Sequence, residues 1–172
     1  MKYMFLILLL VGLSCKEDKN TAKRVETTAS QSSYNLEVYD YEDLKPLLNS
    51  EDDKLHVINF WATWCAPCIK ELPYFESLTE DFSKDKVEVL LVSLDFPRQY
   101  KTKLIPYIEK HKLKSRIVAL NDTDQNTWIP GIDKEWSGAI PATIIYKGDK
   151  RKFYEGSFTR EELLTEIKQF LN

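Results

Sequence analysis

Between Leu55 and Phe82 the chain passes from an apolar, β-rich run ending at Trp61, through Cys65-Ala66-Pro67-Cys68, into a helical stripe of Ile69, Leu72, Phe75, Leu78 and Phe82 at three- and four-residue spacing. This segment constrains the fold most tightly, because a strand must deliver the chain directly to a helix N-terminus with both cysteines at the junction. Val87 to Leu94 follows as an apolar run of strand length, the pattern of a strand covered on both faces. Leu36 to Tyr39 reads as a short strand, Tyr41 to Asn49 as helical, Gln99 to His111 as helical and Arg116 to Leu120 as a strand. Ile140 to Tyr146 and Lys152 to Tyr154 flank the turn residues Lys147-Gly148-Asp149-Lys150, predicting a hairpin. Thr159-x-x-Glu162 is a capping box that opens a last helix with Leu163, Leu164, Ile167 and Phe170 facing inward. Strands interleaved with helices predict an α/β fold, a sheet clothed on both faces.

Composition narrows the function classes. With 24 basic and 27 acidic side chains the net charge is −3, and −4 once Met1 to Ser14 with its single Lys is removed. No basic surplus exists to attract nucleic acid or an anionic membrane face. Of the 172 residues, 158 remain after that cut, enough to bury one proper core, so the three cysteines are not needed as staples.

Lys2 followed by the apolar run Met4 to Leu13 reads as an export signal, since ten residues are about half of what a helix needs to cross a bilayer. Gly12-Leu13-Ser14-Cys15 resembles the lipobox of bacterial lipoproteins, in which the cysteine is lipidated, although the usual Leu three positions before it is Gly12 here. Ordinary cleavage between Ser14 and Cys15 is the competing reading, and it leaves an unpaired thiol at an exposed N-terminus. From Lys16 to Ser33 almost nothing is apolar, so this stretch is expected to be a disordered tether with an r.m.s. reach of roughly 25 Å. Lys16-Glu17-Asp18 resembles a signal that sends some Bacteroidota lipoproteins to the outer face of the outer membrane, and reads equally as solvated linker. The expected organisation is a signal peptide over 1–14, a lipidated cysteine and tether over 15–33, and one domain over 34–172.

A Cys-x-x-Cys pair where a strand meets a helix suits disulfide exchange. Free backbone N–H groups and the helix dipole stabilise a thiolate on the first cysteine, and the second lies one turn on, within disulfide reach. Cys65 is thus the attacking residue and Cys68 resolves the mixed disulfide. Three alternatives fit less well. A structural zinc site needs two further ligands, and His56 and His111 are not at ligand spacing, so no metal is expected. A purely structural disulfide closing so short a loop would constrain little, and two buried free thiols do not account for Pro67 and Trp64.

The stretch Asn59-Phe60-Trp61-Ala62-Thr63-Trp64-Cys65-Ala66-Pro67-Cys68 resembles the active site of the thioredoxin superfamily, in particular its membrane-anchored TlpA/ResA-type branch. The likeness runs from about Tyr34 to the C-terminus and implies a thioredoxin-like three-layer fold, a central mixed sheet with helices on both faces. Pro73 matches the proline that kinks the active-site helix, and Ile140-Pro141-Ala142-Thr143 matches the cis-proline loop that faces the cysteines and meets the bound peptide. Trp64, Ala66, Pro67, Ile140 and Pro141 are thereby expected to shape the substrate surface, with Trp136 at its rim; Trp128 is expected in the core. Thioredoxins proper usually carry a buried Asp where this chain has Asn59. Glu71, three residues after Cys68, coincides with the acid of the TlpA/ResA branch, and a carboxyl half-buried beside thiols has a raised pKa that suits proton exchange. The alternative is a surface Glu beside Lys70.

Cys68 and Pro141 are 73 positions apart, room for an additional helix and strand between Phe96 and Leu120 that resembles the central insertion of the TlpA and peroxiredoxin branches. The peroxiredoxin pattern Pro-x-x-x-Thr/Ser-x-x-Cys is absent, with Ile58 and Ala62 at its positions. The resemblance implies an exported thiol-disulfide oxidoreductase that reduces protein disulfides in the cell envelope and needs no cofactor beyond the Cys65–Cys68 disulfide. Its expected partners are protein thiols and disulfides, a membrane thiol-reductant donor and the membrane holding its lipid anchor. The domain is expected to be monomeric. A thiol peroxidase and a non-enzymatic binding module are the competing functions.

Overall fold

The computed structural model describes residues 34–83 and 86–172. Cys15 and the expected leader, lipidation site and tether lie outside them. Six strands form one sheet in the order β1-β4-β3-β2-β5-β6. β1 (Glu37–Tyr39), β4 (Arg116–Leu120), β3 (Val87–Ser93) and β2 (Leu55–Trp61) are parallel, and β5 (Ala142–Lys147) and β6 (Lys150–Glu155) complete the sheet antiparallel. β2 lies at the centre with all seven residues buried, as strands covered on both faces require. The α/β expectation is met as a mixed sheet between two helical layers.

Alternation along the strands divides the core in two. Leu55, Val57 and Trp61 of β2 point toward α2 (Ala66–Asp81), α3 (Ile105–His111) and α5 (Arg160–Leu171), whose Leu72, Phe75, Ile108, Leu163 and Ile167 complete one cluster. Ile58 and Phe60 point the other way, toward α1 (Tyr41–Leu44), the 3-10 turn Lys45–Leu48 after it, and α4 (Gln125–Ile132). The Thr159–Glu162 capping box is formed in full at the start of α5. Gly148, at φ 54°, turns the β5–β6 hairpin, a conformation that costs glycine little.

Two expectations change. The helix read over Gln99 to His111 is a 3-10 turn at Pro97–Gln99, a π turn at Tyr100–Leu104 and then α3, because Pro106 has no N–H with which to continue a uniform ladder. α4 falls in a stretch to which the sequence pattern assigned no element, and it carries Pro130 and Gly131, both poor helix formers, within it. No helix among the described residues is long and apolar enough to cross a membrane.

Candidate active site

The central strand β2 ends at Trp61, and four residues later Cys65 caps α2. Its Sγ accepts the Cys68 backbone N–H at 3.3 Å, so the sulfur occupies the place where a helix N-terminus favours negative charge. Pro67 falls in the first turn, where its missing N–H costs nothing. Cys65 and Cys68 are joined as a disulfide with their Cα atoms 5.3 Å apart. Cys65 retains 6% exposure and Cys68 none, while Ala66 and Pro67 are exposed beside them. Cys65 thus keeps a little exposure at the helix N-terminus while Cys68 is sealed, an arrangement in which the first can attack and the second resolve.

The Ile140–Pro141 peptide bond is cis, as the resemblance implied, and the Ile140 carbonyl oxygen lies 3.7 Å from Cys65 Sγ. Residues 75 positions apart in the chain thus meet at the reactive sulfur. Ile140 is half-buried and Pro141 buried, so the accessible part of the loop is Ile140 more than the proline ring. Pro73 sits inside a continuous α2.

Glu71 is 1% exposed, which excludes the surface reading. Its Oε1 accepts the Asn59 amide at 3.0 Å and its Oε2 the Phe158 backbone N–H at 2.7 Å. Burial raises the carboxyl to about 7, with the hydrogen bonds from Phe158 and Asn59 pulling the other way. A carboxyl that titrates near neutrality one turn from Cys68 can take up or return a proton as the dithiol opens and closes. Asn59, fully buried opposite Thr143 on β5, also donates to Thr143 Oγ1 at 3.1 Å.

Trp136 does not rim the site. It is 5% exposed, packs against Phe60, Trp128 and Phe153, and donates its indole N–H to Ala139 O at 2.8 Å. A large flat ring gains more from that aromatic cluster than from a half-wet rim, and its hydrogen bond supports the cis-proline loop from inside. Trp64 is 55% exposed beside Cys65, and Trp128 is buried as expected.

Asp95 is a site residue that the sequence reading passed over. It is 2% exposed; its Oδ2 accepts the Thr63 backbone N–H at 2.9 Å and Ser93 Oγ at 2.9 Å, and its Oδ1 accepts the Thr63 hydroxyl. One carboxylate from the end of β3 thereby holds the loop that presents Cys65 at the end of β2. Its position just past the carboxyl end of a parallel strand, where α/β sheets gather their functional loops, is the one sequence signal that could mark it.

Sequence and fold comparisons agree with this geometry. The AhpC/TSA family matches residues 16–151. The chain is 28% identical over 174 residues to the thiol-disulfide oxidoreductase ResA of Geobacillus thermodenitrificans, covering 99% of this chain and 92% of that protein. It is 29% identical to the thioredoxin-like protein YneN of Bacillus subtilis, covering 69% and 66%. Among solved structures, StoA from Bacillus subtilis superposes with a TM-score of 0.51 at 25% identity, over 69% of this chain and 85% of that one. A thioredoxin-family thiol:disulfide interchange protein from Chlorobium tepidum gives 0.57 at 16% identity, over 70% and 81%, a likeness of fold. With the family match spanning most of the chain, the protein belongs to the AhpC/TSA family and, within it, to the thioredoxin-like thiol-disulfide oxidoreductases of TlpA/ResA type.

Proposed function

We propose that this enzyme is exported, held at a membrane by a lipid on Cys15, and reduces protein disulfides in the cell envelope through Cys65 and Cys68. The observation that carries the reading is a helix-capping Cys65, 6% exposed, bonded to a fully buried Cys68, with a cis-proline loop against its sulfur. In the reduced enzyme the Cys65 thiolate attacks a substrate disulfide, forms the mixed disulfide and expels one substrate sulfur, which takes up a proton. Cys68 then loses its proton, which Glu71 accepts, and attacks Cys65 Sγ. The second substrate sulfur leaves as a thiolate, and two electrons have passed to the substrate while Cys65–Cys68 closes. A membrane thiol donor restores the dithiol by the same exchange in reverse. Export rests on the Lys2 to Leu13 leader and on Cys15 after it.

Cys68→Ser should freeze the mixed disulfide on Cys65, so that client proteins and the donor are recovered covalently from the cell envelope and released by dithiothreitol. Lack of any such adducts, or hydroperoxide turnover that needs Cys65 alone, would overturn the reading. Metabolic labelling with an alkyne fatty acid, lost in Cys15→Ala, tests the anchor.

A further inference from the structure

Segment 98–116, which links β3 to β4, carries seven of the 24 Lys and Arg residues and one of the 27 acids, Glu109. The net charge of −3 thus conceals a strongly basic stretch in an otherwise acidic chain. Its turns and α3 bury Tyr100, Leu104, Ile105 and Ile108 and leave Lys101, Lys103, Lys110, Lys112 and Lys114 exposed. Lys103, Pro106 and Lys110, three and four residues apart, lie along the side turned away from the core. Lys114 pairs with Glu80 at 2.6 Å, Arg116 with Glu37 at 2.8 Å, and Arg98 stands 5.1 Å from the Phe96 ring centroid. Lys101, Lys103, Lys110 and Lys112 have no acidic partner among the described residues.

Helix stability does not account for these four. Lys110 and Lys112 suit the carboxyl end of α3, where cations are favoured, but Lys101 and Lys103 precede its amino end, where they are not. The start of the domain lies beside the same face. Tyr34, the first described residue, packs half-buried on the α2 side of the core, and burial together with the carboxylates of Glu37 and Glu76 raises its hydroxyl. Glu76 in turn accepts the Lys114 and Ser115 backbone N–H groups at 2.6 and 3.1 Å, and Glu37 holds Arg116. The chain therefore leaves the domain toward Cys15 at the Lys112–Arg116 end of the basic face. The 18 residues between Cys15 and Tyr34, expected to act as a tether, reach roughly 25 Å, so a lipid on Cys15 keeps this face close to the headgroup layer. The four free cations are lysines, flexible point charges rather than the planar forks that grip one carboxylate, which fits a fluid layer of phosphate groups better than the fixed acids of a protein partner.

We propose that this face docks on the anionic lipid headgroups of the membrane that holds Cys15, an electrostatic contact beside the lipid anchor. The proposal rests on the lipid-anchor reading above and adds how the domain lies on the membrane. The acidic remainder of the domain is repelled by the same surface, so one face is favoured over the others. Arg98 and Phe96 end the basic face next to Trp64, whose ring stacks on Phe96, so Cys65 stands at the edge of the contact, open to substrates, rather than beneath it.

The test uses the chain from Cys15 to Asn172 in its oxidised form, with Cys65 and Cys68 closed and Cys15 coupled to a maleimide phospholipid, so that attachment does not depend on how a cell processes the leader. It is placed on vesicles of phosphatidylcholine, or of equal parts phosphatidylcholine and phosphatidylglycerol, and acetylated briefly with a water-soluble succinimidyl ester. Mass spectrometry reads each lysine. Lys101, Lys103, Lys110 and Lys112 should react about fivefold more slowly on the anionic vesicles, and the protection should vanish in about 0.5 M KCl. Lys134, beyond α4 on the other face of the sheet, and Lys168 on α5 should react equally on both. Combining Lys103→Glu with Lys110→Glu should abolish the protection of Lys101 and Lys112 and leave reduction of 2-hydroxyethyl disulfide at the wild-type rate, which shows that the fold is kept. Equal labelling of the four lysines on the two kinds of vesicle would overturn the docking, as would protection that survives the salt or the double variant. Protection already present before vesicles are added would assign the face to a second copy of the chain and overturn it too. Failure of Cys15 to take up the alkyne fatty acid in cells would overturn the anchor reading instead, and the vesicle result would still report on the basic face.

Discussion

Asn59 on β2 donates its amide to Glu71 on α2 over 3.0 Å, with both side chains sealed from solvent. The pair spans the interface between the central strand and the active-site helix, so the acid one turn from Cys68 is held by the sheet itself. An amide suits this position because it supports the carboxylate without adding a second charge to a dry site, where two neighbouring acids would suppress each other's ionisation.

Glu71 should therefore leave its mark on both stability and rate. Its pKa is raised from 4.5 to about 7 on folding, so the folded protein binds a proton that the unfolded chain has released. That stabilisation is complete below about pH 4.5 and is lost as the pH rises to about 7, on the order of 3 kcal/mol in all. In Glu71→Gln, thermal melts should lose this slope between pH 4.5 and 7. Disulfide reduction should slow by roughly tenfold or more and lose its inflection near neutrality in stopped-flow assays. Retention of the wild-type pH profile would send the proton path elsewhere. Asn59→Ala, by contrast, should act mainly through stability, at about 1 to 3 kcal/mol for stranded partners.

The two cysteines should separate cleanly by reactivity. Cys65 stands at the helix N-terminus with some exposure and Cys68 is sealed. After reduction, iodoacetamide should modify Cys65 at least tenfold faster than Cys68, with a midpoint below that of an ordinary thiol. Mass mapping of the labelled peptides reads this directly, and preferential labelling of Cys68 would reverse the roles.

Asp95→Asn tests the strap between β3 and the Cys65 loop. An amide has one acceptor oxygen, so it cannot satisfy Thr63 N–H, the Thr63 hydroxyl and Ser93 together from both sides. A loss of about 1 to 3 kcal/mol should appear as a lower urea midpoint. The alkylation rate of Cys65 should shift too, because Thr63 is two residues away; an unchanged rate would make Asp95 a stability residue alone.

Trp136 and Trp64 should give opposite phenotypes. Trp136→Ala removes a ring packed among Phe60, Trp128 and Phe153 and should cost about 3 to 5 kcal/mol in chemical denaturation. Trp64→Ala should change stability by only about 0.5 kcal/mol while slowing reduction of protein substrates. A soluble, fully stable Trp136→Ala would return that residue to the surface.

Features encoded over a few neighbouring residues can be read from the amino-acid order without any fold. The apolar runs of β2 and β3, the cysteines at a strand-to-helix junction, Pro67 in the first turn of α2 and the Thr159–Glu162 cap are local, because strand period, helix period and capping chemistry act within a turn or two. The Cys65–Cys68 pair was legible for the same reason, whereas the cis Ile140–Pro141 bond and the attention to Glu71 came through family likeness. Which faces are covered depends on contacts between residues far apart in the chain. Trp136 went inside because Phe60 and Phe153, 76 and 17 positions away, close over it, and the short α4 holds where Trp128 and Ile132 find that same cluster. Asp95 and Phe158 meet the Cys65 loop and Glu71 because the sheet order brings the ends of β2 and β3 together and the loop before α5 is set over Glu71. Such contacts depend on the order in which strands pair across the whole domain, and no local period records that order.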